Sequence, residues 1–136
     1  MIKTQNEIDR YFYTVVKASN LGKAITGSVY RTDMRPDNPT TEDIIVGLLT
    51  GIGGQTQEGV VLVNVYVPDK PDKKGRLVAD LTRIGVLQSH IQSLISDCQG
   101  GDYYIDRNTE TPRAIEVKEL HQHCFTIRLQ FKTITD

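Results

Sequence analysis

Apolar positions in the first stretch of the chain recur at helical spacing. Ile8, Tyr11, Phe12, Val15 and Val16 fall at i, i+3, i+4, i+7 and i+8, which is one face of a helix. Thr4 followed by Glu7 fits a capping box, in which each side chain satisfies a backbone N–H at the helix start. Asn20-Leu21-Gly22 is expected to stop this helix. The pattern then turns to strand. Ala24–Arg31 predicts a short strand with Ile25, Gly27 and Val29 on one face, and Asp33–Pro39 carries turn chemistry, with two prolines and an Asp-Asn pair. Asp43–Thr50 and Gly59–Val67 are rich in β-branched residues and apolar on both faces, joined by the glycine-rich stretch 51–58, which reads as a hairpin loop.

Pro68 closes that strand, and 69–75 reads as a solvated loop. Leu77, Leu81, Ile84, Gln88, Ile91 and Ile95 line up as one long helix, weakened at Gly85 by about 1 kcal/mol relative to alanine and stopped at Gly100-Gly101. Tyr103–Arg107 is expected to be a short strand, 108–112 a turn and Ala114–Leu120 a further strand. Phe125, Ile127, Leu129 and Phe131 alternate with Thr126, Arg128, Gln130 and Lys132, one buried face and one wet face. The order α-β-β-β-α-β-β predicts an α+β fold in one domain over 1–136: a mixed or antiparallel sheet of about five strands with two helices on one face. Two helices cover one face only. The other face of Asp43–Thr50 and Gly59–Val67 must be covered either by loops 33–42 and 102–120 or by another subunit, because large contiguous apolar patches are rare on monomers.

Composition removes several classes of function. The chain has 136 residues with 16 basic and 17 acidic side chains, a net charge of -1. Divided after Pro68, it carries 6 basic against 7 acidic residues and then 10 against 10, so neither half is a basic arm for phosphate neutralisation. The first residues lack the apolar run of a signal peptide and no run is long enough for a bilayer, which reads as a soluble protein made inside a cell. Cys98 and Cys124 have no CxxC spacing and are expected to be reduced. His121-Gln122-His123-Cys124 is the one metal-like cluster; on a strand it presents two ligands on one face, too few for zinc, so no metal and no cofactor are expected. Gly51-Ile52-Gly53-Gly54 lacks the ending of a phosphate loop and leads into a strand. Glu42-Asp43 places two carboxylates on opposite faces, poor geometry for shared acid–base work, and solvation at a strand edge is the expected role. No nucleophile sits in a catalytic signature, so no enzyme is expected.

Ile25–Tyr30, Arg35-Pro36, Glu42–Val46, Gln57–Pro68 and the closing His123–Phe131 pattern together resemble small proteins of tailed phages and prophages. The element order is similar to that of the tail terminator, or tail completion, proteins of siphophages. The resemblance covers about residues 4–134 by element order, with the residue matches confined to about 25–68 and 121–131. It implies a small α+β subunit that forms a homo-oligomeric ring in the virion, caps the tail tube and docks to the head connector. That work is done by shape complementarity, with no bond made or broken. Loops on a rigid sheet are where contact surfaces usually sit. The expected contact residues are Arg35, Pro36, Glu42, Asp43, Gln55, Gln57 and Glu58 at the strand ends and loops, with Leu62 and Val63 within the central strand. The alternative is a small cytoplasmic ligand-binding domain, monomeric or dimeric; a weaker third reading is an enzyme whose site spans subunits.

Overall fold

The computed structural model describes residues 3–52, 56–108 and 112–134. Helix α1 (Gln5–Ala18) starts at the capping box: the Glu7 N–H donates to Thr4 Oγ1 at 3.1 Å, and the Thr4 N–H donates to Glu7 Oε1 at 3.3 Å. Its Ile8, Phe12 and Val16 stripe is fully inside. The helix ends before the expected stop, because Ser19 turns the chain out of it and caps a second helix. The Ser19 hydroxyl accepts from the Gly22 N–H at 3.1 Å, and α2 (Asn20–Ala24) takes in the Asn-Leu-Gly that was expected to be a terminator. The expected strand 24–31 therefore shrinks to β1 (Val29–Arg31).

The sheet is built on β2 (Asp43–Ile52) and β3 (Thr56–Pro68), an antiparallel pair that runs well into the stretch expected to be a loop, with Ile52 opposite Glu58. A short antiparallel pair, β4 (Lys70–Pro71) and β5 (Leu77–Val78), follows. The expected long helix is two helices, α3 (Leu81–Gln88) and α4 (Ile91–Cys98), separated by Ser89-His90. The start is set by Asp80, whose carboxylate accepts from the Arg83 N–H at 3.2 Å, so Leu77-Val78 stays extended. The break follows α-type bonding from Ser89 to Gly85 and a tighter bond from the His90 N–H to the Leu87 carbonyl at 3.1 Å. The apolar stripe nevertheless continues across it: Ile84, Leu87, Ile91, Leu94, Ile95 and Cys98 are all buried.

Two short strands, β6 (Tyr103–Ile105) and β7 (Ile115–Val117), then pair with opposite ends of β8 (Gln122–Ile134). A single 3-10 turn over Lys118–Leu120 takes up the rest of the expected strand 114–120. The order across the sheet is β1-β2-β3-β8-β6, with β7 also on β8; β1 is parallel to β2 and the other pairs are antiparallel. The fold is α+β with a mixed sheet.

Alternation decides the core. Ile44 and Val46, then Val61, Val63, Val65 and Val67, then Phe125, Ile127, Leu129 and Phe131 project to the inner face and meet the helices. Each of these side chains contributes about 1.5–3 kcal/mol relative to leaving it in water. Phe12, Tyr103 and Phe131 form an aromatic cluster beneath α1, with centroids 5.4–5.9 Å apart. Tyr11 stacks on Tyr103 at 3.9 Å and donates its hydroxyl hydrogen to the Cys98 carbonyl at 2.7 Å, tying α1 to the end of α4.

Candidate interface on the helix-free face of the sheet

The outer face carries the other half of each strand: Ile45 and Gly47 from β2, Val60, Leu62, Asn64 and Tyr66 from β3, and Cys124, Thr126, Arg128 and Gln130 from β8. No described helix packs there. Cross-strand pairs run Gly47–Leu62–Arg128 and Asn64–Thr126, the latter joined by a 2.6 Å hydrogen bond from the Thr126 hydroxyl to Asn64 Oδ1. Gly47 lacks a side chain where Thr32 approaches; a Cβ would collide with the threonine hydroxyl.

One end of this face is closed by the loop 32–42, and an arginine does the closing. Arg35 Nε donates to Asp43 Oδ2 at 2.9 Å, its terminal nitrogen donates to Gln122 Oε1 at 2.9 Å, and the guanidinium lies 4.3 Å from the centre of the Tyr66 ring. The side chains of Arg35 and Asp43 are only 7% and 2% exposed. Asp43 also accepts from the Ser28 N–H at 2.9 Å and from the Thr41 hydroxyl. Glu42, on the opposite side of the chain, is gripped by Arg83 of α3 through bonds of 2.6 and 2.8 Å and by the Thr26 N–H at 3.2 Å. Donating these hydrogen bonds to Glu42 pushes the Arg83 guanidinium above its ordinary pKa. The adjacent carboxylates are thus buried and each is matched with its own arginine, the condition under which buried charge is tolerated.

That arrangement corrects several expectations. Glu42 and Asp43 are not solvated at a strand edge, and neither they nor Arg35 is available to a partner. Gln57 is also inside: its amide exchanges two 3.0 Å hydrogen bonds with the backbone of Lys3. Val63 points into the core and is fully buried. Pro36 and Glu58 are exposed, Glu58 lying 3.7 Å from Lys132, and Leu62 is half-buried on the outer face. Gln55 lies outside the described residues. The loops-or-subunit question divides along the face: loop 32–42 covers the Asp43–Tyr66–Gln122 end, while Ile45, Val60 and Leu62 remain partly open to water.

Opposite Val60 and Val61 of β3, a bulge between Leu48 and Thr50 of β2 leaves Leu49 52% exposed. Strand β1 stops short of this point, and the Leu48 N–H donates instead to Asp9 Oδ1 of α1 at 2.7 Å. Met34 and Ile115 are exposed as well, and so are Leu77 and Leu81, which the helical spacing places on the apolar stripe of one long helix.

The histidines do not share a strand face. His121 precedes β8 in a left-handed conformation (φ 54), and His123 Nδ1 lies 2.6 Å from Asp69 Oδ1. Among the described residues no three His, Cys, Asp or Glu side chains group as a metal site. Burial pushes the Cys98 thiol up to about 12 and raises that of Cys124 as well. A shallow open groove of about 410 Å³ runs along α1, lined by Glu7, Arg10, Tyr11, Thr14 and Val15. No described helix is long and apolar enough to cross a membrane. Comparison with protein-family models and with curated proteins finds no match to this chain.

Proposed function

We propose that this chain is a non-enzymatic structural subunit that associates with copies of itself into a ring. The ring is of the phage tail terminator or head–tail joining type, capping a tail tube and docking to a head connector in the virion. The resemblance in residues 25–68 and 121–131 supports the assignment to that type. The observation that carries self-association is the helix-free sheet face, where Ile45, Val60 and Leu62 are partly open and Leu49 is more than half exposed. Water penalises such surface at about 25 cal/mol per Å², and a standard contact of about 800 Å² per partner removes that penalty. A ring requires two different patches of each subunit to meet.

The ligand-binding alternative draws no support from the groove along α1. That groove is lined by one helix only and lacks polar groups converging from several elements, the usual mark of a small-molecule site.

Neighbouring positions of β3 supply the test. Val63→Asp places a carboxylate in the core and is expected to abolish folding; Leu62→Asp places one on the outer face and is expected to leave circular dichroism unchanged. Light scattering over a concentration series should then give a lower mass for Leu62→Asp than for the parent chain. A parent chain that stays monomeric at every concentration refutes self-association, and the ligand-binding alternative takes its place.

A further inference from the structure

Resting on the reading of self-association, we infer that the contact between copies, besides covering the open residues of the helix-free face, seats the basic hairpin 70–78 of one subunit against the acidic loop 32–42 of the next. The hairpin carries Lys70, Lys73, Lys74 and Arg76 against Asp72. Arg76 pairs with Asp72 at 3.5 Å and Lys70 with Asp80 at 3.6 Å, so the cations it presents outward are the exposed Lys73 and Lys74. Apolar side chains accompany these charges: Leu77 within the hairpin is 46% exposed and Leu81 just beyond it 71%. The hairpin is held rigidly for a surface loop. Asp72 Oδ1 accepts from the Lys74 and Arg76 N–H groups at 2.8 and 3.0 Å, and the Asp69 N–H at its base donates to the His121 carbonyl at 2.9 Å.

Loop 32–42 offers the complement. Its one cation, Arg35, is consumed inside the subunit by Asp43, so what the loop presents outward is Asp33 and Asp37, both exposed. Met34, 67% exposed, lies between them. Ile115, 68% exposed, stands beside Cys124 on the same sheet face. The adjoining Arg113, Glu116, Lys118 and Glu119 sum to zero charge and leave the sign of the surface unchanged.

The two patches therefore match in kind: an apolar pair with cations on one, an apolar pair with anions on the other. They occupy different layers. Loop 32–42 lies across the outer sheet face, and the hairpin leads from β3 into the helix layer at α3. A contact between unlike patches is head-to-tail, which is the kind that generates rings. With a chain charge of only -1, attraction between copies comes from this local separation of sign, which steers encounter and fixes register.

The experiment reverses or removes charge at exposed positions. Variant A, Lys73→Glu with Lys74→Glu, makes the hairpin acidic; variant B, Asp33→Asn with Asp37→Lys, makes the loop basic. Asparagine is chosen at position 33 because its backbone is left-handed (φ 66). Both variants should keep the parent's circular dichroism, and each alone should self-associate about tenfold more weakly at low salt. An equimolar mixture of A and B should recover the parent's mass, because each then meets the opposite sign on its neighbour. Raising salt to about 0.5 M should weaken the parent and erase the difference between the mixture and its components. If the parent assembles and A and B assemble equally well, this contact is wrong while self-association stands. Failure of the mixture to recover mass also overturns it. A parent that is monomeric throughout overturns both.

Discussion

Replacing Asp43 by alanine removes the acceptor around which loop 32–42 is fastened. The carboxylate takes hydrogen bonds from Arg35 Nε, the Ser28 N–H and the Thr41 hydroxyl, and both members of the ion pair are almost wholly inside. Alanine leaves the Arg35 guanidinium in a site built to neutralise it, with Gln122, the Thr41 carbonyl and the Tyr66 ring as its remaining contacts. Removing one member of a buried pair costs about 3–5 kcal/mol, and an orphaned Ser28 N–H lies within that range rather than beyond it. Arg35→Ala is milder, about 1–3 kcal/mol, because Asp43 keeps its amide and hydroxyl donors. The double variant should cost at least about 1 kcal/mol less than the sum of the two, since neither change then strands a charge. Urea unfolding followed by far-ultraviolet circular dichroism, at one low protein concentration, measures all three. An Asp43→Ala cost below about 1 kcal/mol, or additivity within about 0.5 kcal/mol, would show that the pair is not the fastening described.

Alkaline pH should weaken the fold through Cys98 and Tyr103. Burial raises the folded-state pKa of Cys98 from 9.0 to about 12 and that of Tyr103 from 10.0 to about 12. A raised pKa gives stability that is whole below the unfolded value and is lost as pH climbs through the folded one. Stability should therefore decline between about pH 9 and 12, Cys98→Ala should flatten the lower part of that decline, and Cys98 should react with a thiol reagent only on unfolding. Ser19→Ala should cost about 1 kcal/mol by removing the hydroxyl that accepts from the Gly22 N–H and donates to the Val16 carbonyl, with helix loss confined to α2 in amide hydrogen exchange.

The parts of this fold that were legible along the chain are those set by neighbours in sequence. The capping box at Thr4 and Glu7 and the stripe Ile8–Phe12–Val16 involve residues within a turn or two, and local geometry alone produces α1. The alternation from Phe125 to Phe131 requires only that a strand have two faces, and β8 follows from it. Extent was less legible. Whether 51–58 is loop or strand depends on β8, which pairs with β3 as far as Thr56 and draws the hairpin out. The split between α3 and α4 leaves the apolar spacing intact, so periodicity does not register it.

The surface was decided in three dimensions. Alternation says that Leu62 and Val63 face opposite ways; only the placement of α1, α3 and α4 makes Val63 core and leaves Leu62 half in water. Glu42 and Asp43 look like solvated charges in sequence because their partners are distant: Arg35 is eight residues away and Arg83 is 41. A carboxylate can leave water only when a cation and hydrogen-bond donors replace its hydration. Folding brings those groups from α3, the 25–28 segment and loop 32–42 to one place, and so turns an expected contact surface into the interior.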